Sequence, residues 1–129
     1  MGKDYYFSLI LSGPQEEFLS GSKYGIDRMR VLLSLIQKAA TKEYCYRKKG
    51  FTLSVQVGQA VASEVELSHL WACNRKTVSR LIKALNDLQF IRTEKTNRTS
   101  IHTLLCVSGW FIEGHMIRNP SYLEMRDRK

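Results

Sequence analysis

Leu67-Ser68-His69-Leu70-Trp71-Ala72-Cys73-Asn74-Arg75-Lys76-Thr77-Val78-Ser79-Arg80-Leu81-Ile82-Lys83-Ala84-Leu85-Asn86-Asp87-Leu88 combines helical periodicity with a run of cations. Val78, Leu81, Ile82, Leu85 and Leu88 recur at three- and four-residue spacing, which collects them into one stripe on an α-helix. Lys76, Ser79, Arg80 and Lys83 fall away from that stripe, so one rod carries a burying face and a basic face. Asn74 suits the cap, because its side-chain oxygen can accept from a free first-turn amide. Upstream, Ser63-Glu64-Val65-Glu66 is a capping box and starts a shorter helix. The pattern is helix, tight corner, helix.

Downstream, Phe90–Lys95 and Ser100–Val107 read as two strands flanking Thr96-Asn97-Arg98-Thr99. Asn97 tolerates the positive φ that a hairpin loop needs. Lys95 and Arg98 flank a tip without apolar residues. Upstream, Phe51, Leu53, Val55 and Val57 alternate with Thr52, Ser54 and Gln56, the period of a half-buried strand.

From about Gly58 to Val107 the chain resembles the winged helix-turn-helix class of bacterial DNA-binding domains. The residues that carry the likeness are the small apolar core, the Asn74 cap, the Arg75-Lys76-Thr77-Val78-Ser79-Arg80 opening and the basic hairpin. The lead-in, Gly58-Gln59 followed by Ser63 and Leu67, is similar to that of phage and plasmid replication-initiation modules. The resemblance implies an α+β fold of winged-helix type, mostly helical with a small antiparallel sheet. It implies duplex DNA binding through a recognition helix over about 74–88 and a wing over about 93–101, with Asn74, Arg75, Lys76, Thr77, Ser79, Arg80, Lys83, Lys95, Asn97 and Arg98 as contact residues. The process implied is replication initiation of a mobile element or transcriptional regulation, in a bacterium or phage. The chain departs from the pattern at Ala72, where such families place glycine. A β-carbon held at positive φ costs about 1 kcal/mol, which favours an ordinary short loop there. Leu70, apolar where a charge is common, points to an extra packing partner.

Charge placement agrees. The chain of 129 residues carries a formal +8, and between Arg75 and Arg98 seven basic residues face only Asp87 and Glu94, so +5 of the total sits in the motif. A basic surface suits polyanions. The alternative is a winged-helix module for protein–protein contact that does not touch DNA, but a protein-binding face should be more aromatic and less charged than this one.

The length and 43% apolar content fit one domain over 1–129. Within it, 1–22 is read as strand and loop, 23–50 as a long helix, 51–107 as the motif core and 108–129 as an extension. Asp4 to Leu11 is aromatic and branched enough for a strand that Ser12-Gly13-Pro14 ends, and a polar loop through Gly21 and Ser22 follows. The long helix is expected from about Tyr24 to Tyr44, with Met29, Leu32, Leu33, Ile36, Ala39 and Ala40 as its buried stripe. Val31 and Leu35 lie off that stripe, so the helix is either wrapped on two sides by its own chain or paired with a copy in a homodimer. Arg47-Lys48-Lys49-Gly50 reads as a charged turn, more often a solvated loop than a phosphate contact. Ser108-Gly109 closes the hairpin, Trp110, Phe111, Ile112, Met116 and Ile117 form a last apolar cluster, and the tail from Glu124 is expected to fray.

No enzyme is expected. The chain has no glycine-rich phosphate loop, no nucleophile elbow and no carboxylate pair whose placement demands a chemical role. Cys45, Cys73 and Cys106 are odd in number and far apart, which favours a reducing cytoplasm and a role as buried small hydrophobes. His69 and Cys73 stand four apart without a second ligand pair, so no metal or other cofactor is expected. No membrane span or signal peptide is read. Tyr5, Tyr6, Tyr24, Tyr44 and Tyr46 could stack on unpaired bases, although such residues more often pack in cores and rims.

Overall fold

A computed structural model describes residues 4–21 and 25–128. Strand β1 (Tyr5–Leu9) is followed by helices α1 (Gly13–Ser20) and α2 (Arg28–Lys38), then by strands β2 (Tyr44–Lys48), β3 (Phe51–Val55) and β4 (Gln59–Val61). Helices α3 (Glu64–Leu70) and α4 (Arg75–Asp87) come next, and β5 (Ile91–Lys95), β6 (Ser100–Leu104), β7 (Val107–Ile112) and β8 (His115–Arg118) complete the sheets before a short 3-10 turn, Met125–Asp127. The strands form three antiparallel sheets in the orders β1-β7-β8, β2-β3 and β4-β6-β5.

This corrects the expected fold. The described residues are α+β with four helices, but helix and strand are nearly equal, at about 34% and 32%, and there is neither a long N-terminal helix nor a clear winged-helix topology. Helix α2 starts at the Asp27 cap and stops at Lys38. Ala39 to Glu43 could have continued it by propensity, but the Ala40 amide donates to Gln59 O at 2.9 Å and the Gly58 amide donates to Ala40 O at 2.8 Å, so a neighbouring strand captures the backbone. Tyr44 onward then pairs with β3. The expected helix start at Tyr24, with Ser22, lies outside the described residues.

Two further readings change. Ser12-Gly13-Pro14 starts a helix where a loop was expected, because Ser12 caps Gln15 and Gln15 reaches back to the Ser12 amide, with proline in the first turn. Val107, expected to end the preceding strand, and the apolar cluster expected from Trp110 to Ile117 instead lie in a hairpin over 107–118, whose β7 pairs with β1 from Tyr5↔Ile112 to Leu9↔Val107 with a register shift between Ser8 and Leu9.

One buried cluster draws Leu19 from α1, Val31, Leu32, Leu35 and Ile36 from α2, Leu67 from α3, Val78, Leu81, Ile82 and Leu85 from α4, Phe90 from the link between α4 and β5, and Ile91, Leu104 and Trp110 from the strands. Val31 and Leu35 are 3% and 0% exposed, so the chain wraps both sides of α2 and leaves them unavailable to a partner copy. Of the two alternatives for this helix, Val31 and Leu35 thus give no support to pairing with a copy. Leu70 remains 49% exposed, on a groove shared with Met29, Leu33 and Trp71.

The chain ends are tied together. Gln15, 1% exposed, donates from Nε2 to Leu88 O at 2.8 Å and accepts from Arg128 Nη1 at 3.0 Å. The same guanidinium donates to Ile10 O at 2.7 Å and, through Nε, to Leu123 O at 3.0 Å. The tail expected to fray is thus anchored as far as Arg128, and Lys129 lies outside the described residues.

Candidate nucleic-acid interface

Helix α4 is held by its ends and by its stripe. Asn74 Oδ1 accepts from the Thr77 amide at 2.8 Å, as its side chain predicts. Val78, Leu81, Ile82 and Leu85 are buried. The opposite face exposes Lys76, Arg80 and Lys83, with Thr77 half-buried on the flank. Ala72 adopts φ 52°. The Cys73 amide donates to Ser68 O at 3.1 Å and the Ala72 amide to His69 O at 3.4 Å, which is a Schellman end to α3. The corner is therefore left-handed despite its β-carbon, and the ordinary loop expected there is not found. Trp71 Nε1 donates to Ser34 Oγ at 2.8 Å and fixes this corner to α2.

The basic residues of α4 divide into two kinds. Arg75 lies 3.8 Å from Glu64, and Ser79 Oγ donates to the same carboxylate, so both turn toward α3. Lys83 lies 2.7 Å from Asp87. Lys76 and Arg80 are exposed and have no carboxylate at ion-pair distance among the described residues. Periodicity gave the outward face, but Glu64 and Asp87 as partners of the basic residues were missed. Asp87 was legible, since it stands four residues after Lys83; Glu64 belongs to another helix and gave no local signal.

The basic tip is ordered by Thr96, whose Oγ1 accepts from the Arg98 amide at 3.3 Å and the Thr99 amide at 3.0 Å. Asn97 is exposed and does not take positive φ, so the turn expected from it is built by its neighbour instead. Lys95 is exposed, and Arg98 Nη1 donates to Lys49 O at 3.5 Å.

Helix and hairpin are joined by a relay that runs from half-buried Asn86 and Thr93 to buried His102. Asn86 Nδ2 donates to Thr93 Oγ1 at 3.0 Å, and Asn86 Oδ1 accepts from the Thr93 amide at 2.9 Å. Thr93 Oγ1 lies 2.9 Å from His102 Nδ1, and His102 Nε2 lies 3.0 Å from Ala62 O. Only an N–H can serve a carbonyl, so Nε2 carries the proton and Nδ1 accepts from Thr93. Burial lowers the His102 pKa below its ordinary 6.5, against the opposing pull of the Ala62 carbonyl and the Glu64 charge. The ring is therefore neutral near pH 7.

The cysteines do not behave alike. Cys106 is buried and burial pushes its thiol up to about 12, Cys73 is half-buried with its thiol raised for the same reason, and Cys45 is exposed, contrary to the expectation of three buried thiols. Among the described residues no three His, Cys, Asp or Glu side chains converge as a metal site would need, and no helix is long and apolar enough to cross a membrane. Compared with protein-family models, curated proteins and solved structures, the chain matches none.

Proposed function

We propose that the protein binds double-stranded DNA, with the outward face of α4 in the major groove and the Lys95–Arg98 tip on the backbone nearby. The observation that carries this reading is the pair Lys76 and Arg80: exposed, without a carboxylate at ion-pair distance among the described residues, and one turn apart on a helix whose other face is buried. Arginine and lysine there match the acceptors of guanine, and Thr77 and Asn74 can serve phosphates at the helix start. Lys83, held by Asp87, contributes less.

A protein-binding role is the second reading, supported by the half-exposed Leu70 beside Met29 and Leu33. The duplex reading is preferred because the charge follows α4 and its hairpin. Replication initiation of a mobile element and transcriptional regulation both use such contacts, and a footprint at a replication origin against one upstream of a regulated gene separates them. A cytoplasmic location fits the three free cysteines.

The test is a salt titration of binding to duplex DNA with wild type and Arg80→Ala. Loss of about 1 to 3 kcal/mol on the preferred sequence, with relaxed base preference, is expected. Unchanged affinity and preference in folded Arg80→Ala protein would sink the groove assignment.

A further inference from the structure

Among the described residues, strands β2 and β3 make a sheet of two strands with no third. Such ribbons bury little and are marginal alone. None of the residues from Tyr44 to Val55 belongs to the central core cluster, and only Val55 among them is buried. The register sorts the side chains by face: Tyr44, Tyr46 and Lys48 lie opposite Val55, Leu53 and Phe51, while Cys45 and Arg47 lie opposite Ser54 and Thr52. One face is largely apolar. The other carries a cation beside two hydroxyls.

Arg47, Lys48 and Lys49 at the ribbon tip are exposed and have no carboxylate at ion-pair distance among the described residues. The tip meets the second basic tip, since Arg98 Nη1 donates to Lys49 O at 3.5 Å. Five cations, Arg47, Lys48, Lys49, Lys95 and Arg98, are thereby gathered from segments about fifty residues apart in the chain. Glu94, next to Lys95, is the one acid in β5, and it is exposed. Like charges brought together without enough counter-charge repel unless an external anion answers them.

We infer that the β2–β3 ribbon is a second arm of the DNA interface, and that its tip and the β5–β6 tip together grip the phosphate backbone of one duplex. The inference rests on the duplex-binding reading and adds a site that α4 does not supply. A two-stranded ribbon is narrow enough to follow a groove, and Thr52 and Ser54 beside Arg47 are the hydroxyl donors that commonly accompany cations on phosphates. These contacts position the protein and carry no base preference.

The experiment is a salt titration on the preferred sequence, where Arg80→Ala is judged, and on random-sequence duplex, with wild type, Arg80→Ala, and an Arg47→Ala, Lys48→Ala, Lys49→Ala variant, whose exposed substitutions leave the core intact. The slope of log affinity against log salt should flatten by about 0.9 for each lost phosphate contact, hence by about 2.7 in the triple variant, equally on every sequence. Unchanged slope in the triple variant, with wild type bound and Arg80→Ala impaired, overturns the ribbon and leaves the α4 reading standing. A flattened slope with Arg80→Ala unimpaired upholds the ribbon and overturns the groove assignment. Wild type that binds no duplex overturns both.

Discussion

Lys83 Nζ lies 2.7 Å from Asp87 Oδ2, one turn further along α4, and both side chains are exposed. A carboxylate on the outward face of a helix proposed to meet DNA works against phosphate while it holds a lysine. Asp87→Asn should therefore free Lys83, tighten duplex binding and steepen the salt slope by up to about 0.9. Loss of the pair should lower stability by no more than about 0.5 kcal/mol. Filter binding across a salt series reads the first, a thermal melt the second, and weaker binding by the variant would mean that Asp87 orients Lys83 productively.

At Ala72 the backbone stands at φ 52° with its side chain exposed. Ala72→Gly relieves a left-handed β-carbon and should stabilise by about 1 kcal/mol, less the added freedom of the unfolded chain. A melting temperature raised by a few degrees, with DNA binding unaltered, is the expected result.

Gly58 shows the opposite sensitivity. It stands at φ 88°, and a β-carbon there would collide with Asn119 Oδ1. Asn119 is 2% exposed and donates to Leu104 O at 3.0 Å and Val107 O at 2.7 Å, holding the link between β6 and β7. Gly58→Ala should cost about 3 kcal/mol, combining backbone strain with a disturbed buried amide. Gly114, at φ 80° with nothing within 4 Å of the added carbon, is the control, and Gly114→Ala should cost only about 1 kcal/mol. Equal losses in chemical denaturation would refute the role given to Asn119.

His102 makes stability depend on pH. Its folded pKa is lowered, chiefly by burial, so the unfolded chain takes up the proton first as pH falls. The stabilisation is full above the ordinary value of 6.5 and is lost as pH drops below it toward the folded value. Melting temperature should decline through that window in wild type and decline less in His102→Gln, which keeps an amide able to donate and accept. Parallel curves would show that other groups set the acid limb.

Local signals were readable and distant pairings were not. The Ser63 and Asn74 caps, the α4 stripe and the β5–β6 strands all rest on residues within a few positions of one another, and each is found. Ser12-Gly13-Pro14-Gln15 carried a capping box as legible as that of Ser63, but Gly-Pro was read as a stop. The end of α2 could not be read from Ala39-Ala40-Thr41, because Gln59 and Gly58 decide it. Nor could β7 be separated from a loose apolar cluster, since its partner begins at Tyr5. At the candidate site, the period of α4 gave the face, whereas the Glu64 contacts and the approach of Arg98 to Lys49 depend on tertiary neighbours.

The pairing of β1 with β7 sets an order on the making of this protein. Translation releases Tyr5–Leu9 first, yet its only described strand partner, Val107–Ile112, is made about a hundred residues later. Until then Phe7 and Leu9 have no sheet to join, and an unpaired apolar strand is an invitation to association between nascent chains. Arg128, which closes Ile10 and Gln15, arrives later still. A ribosome stalled before Val107 would thus hold a chain whose α3 and α4 are already written but whose β1 is left adhesive.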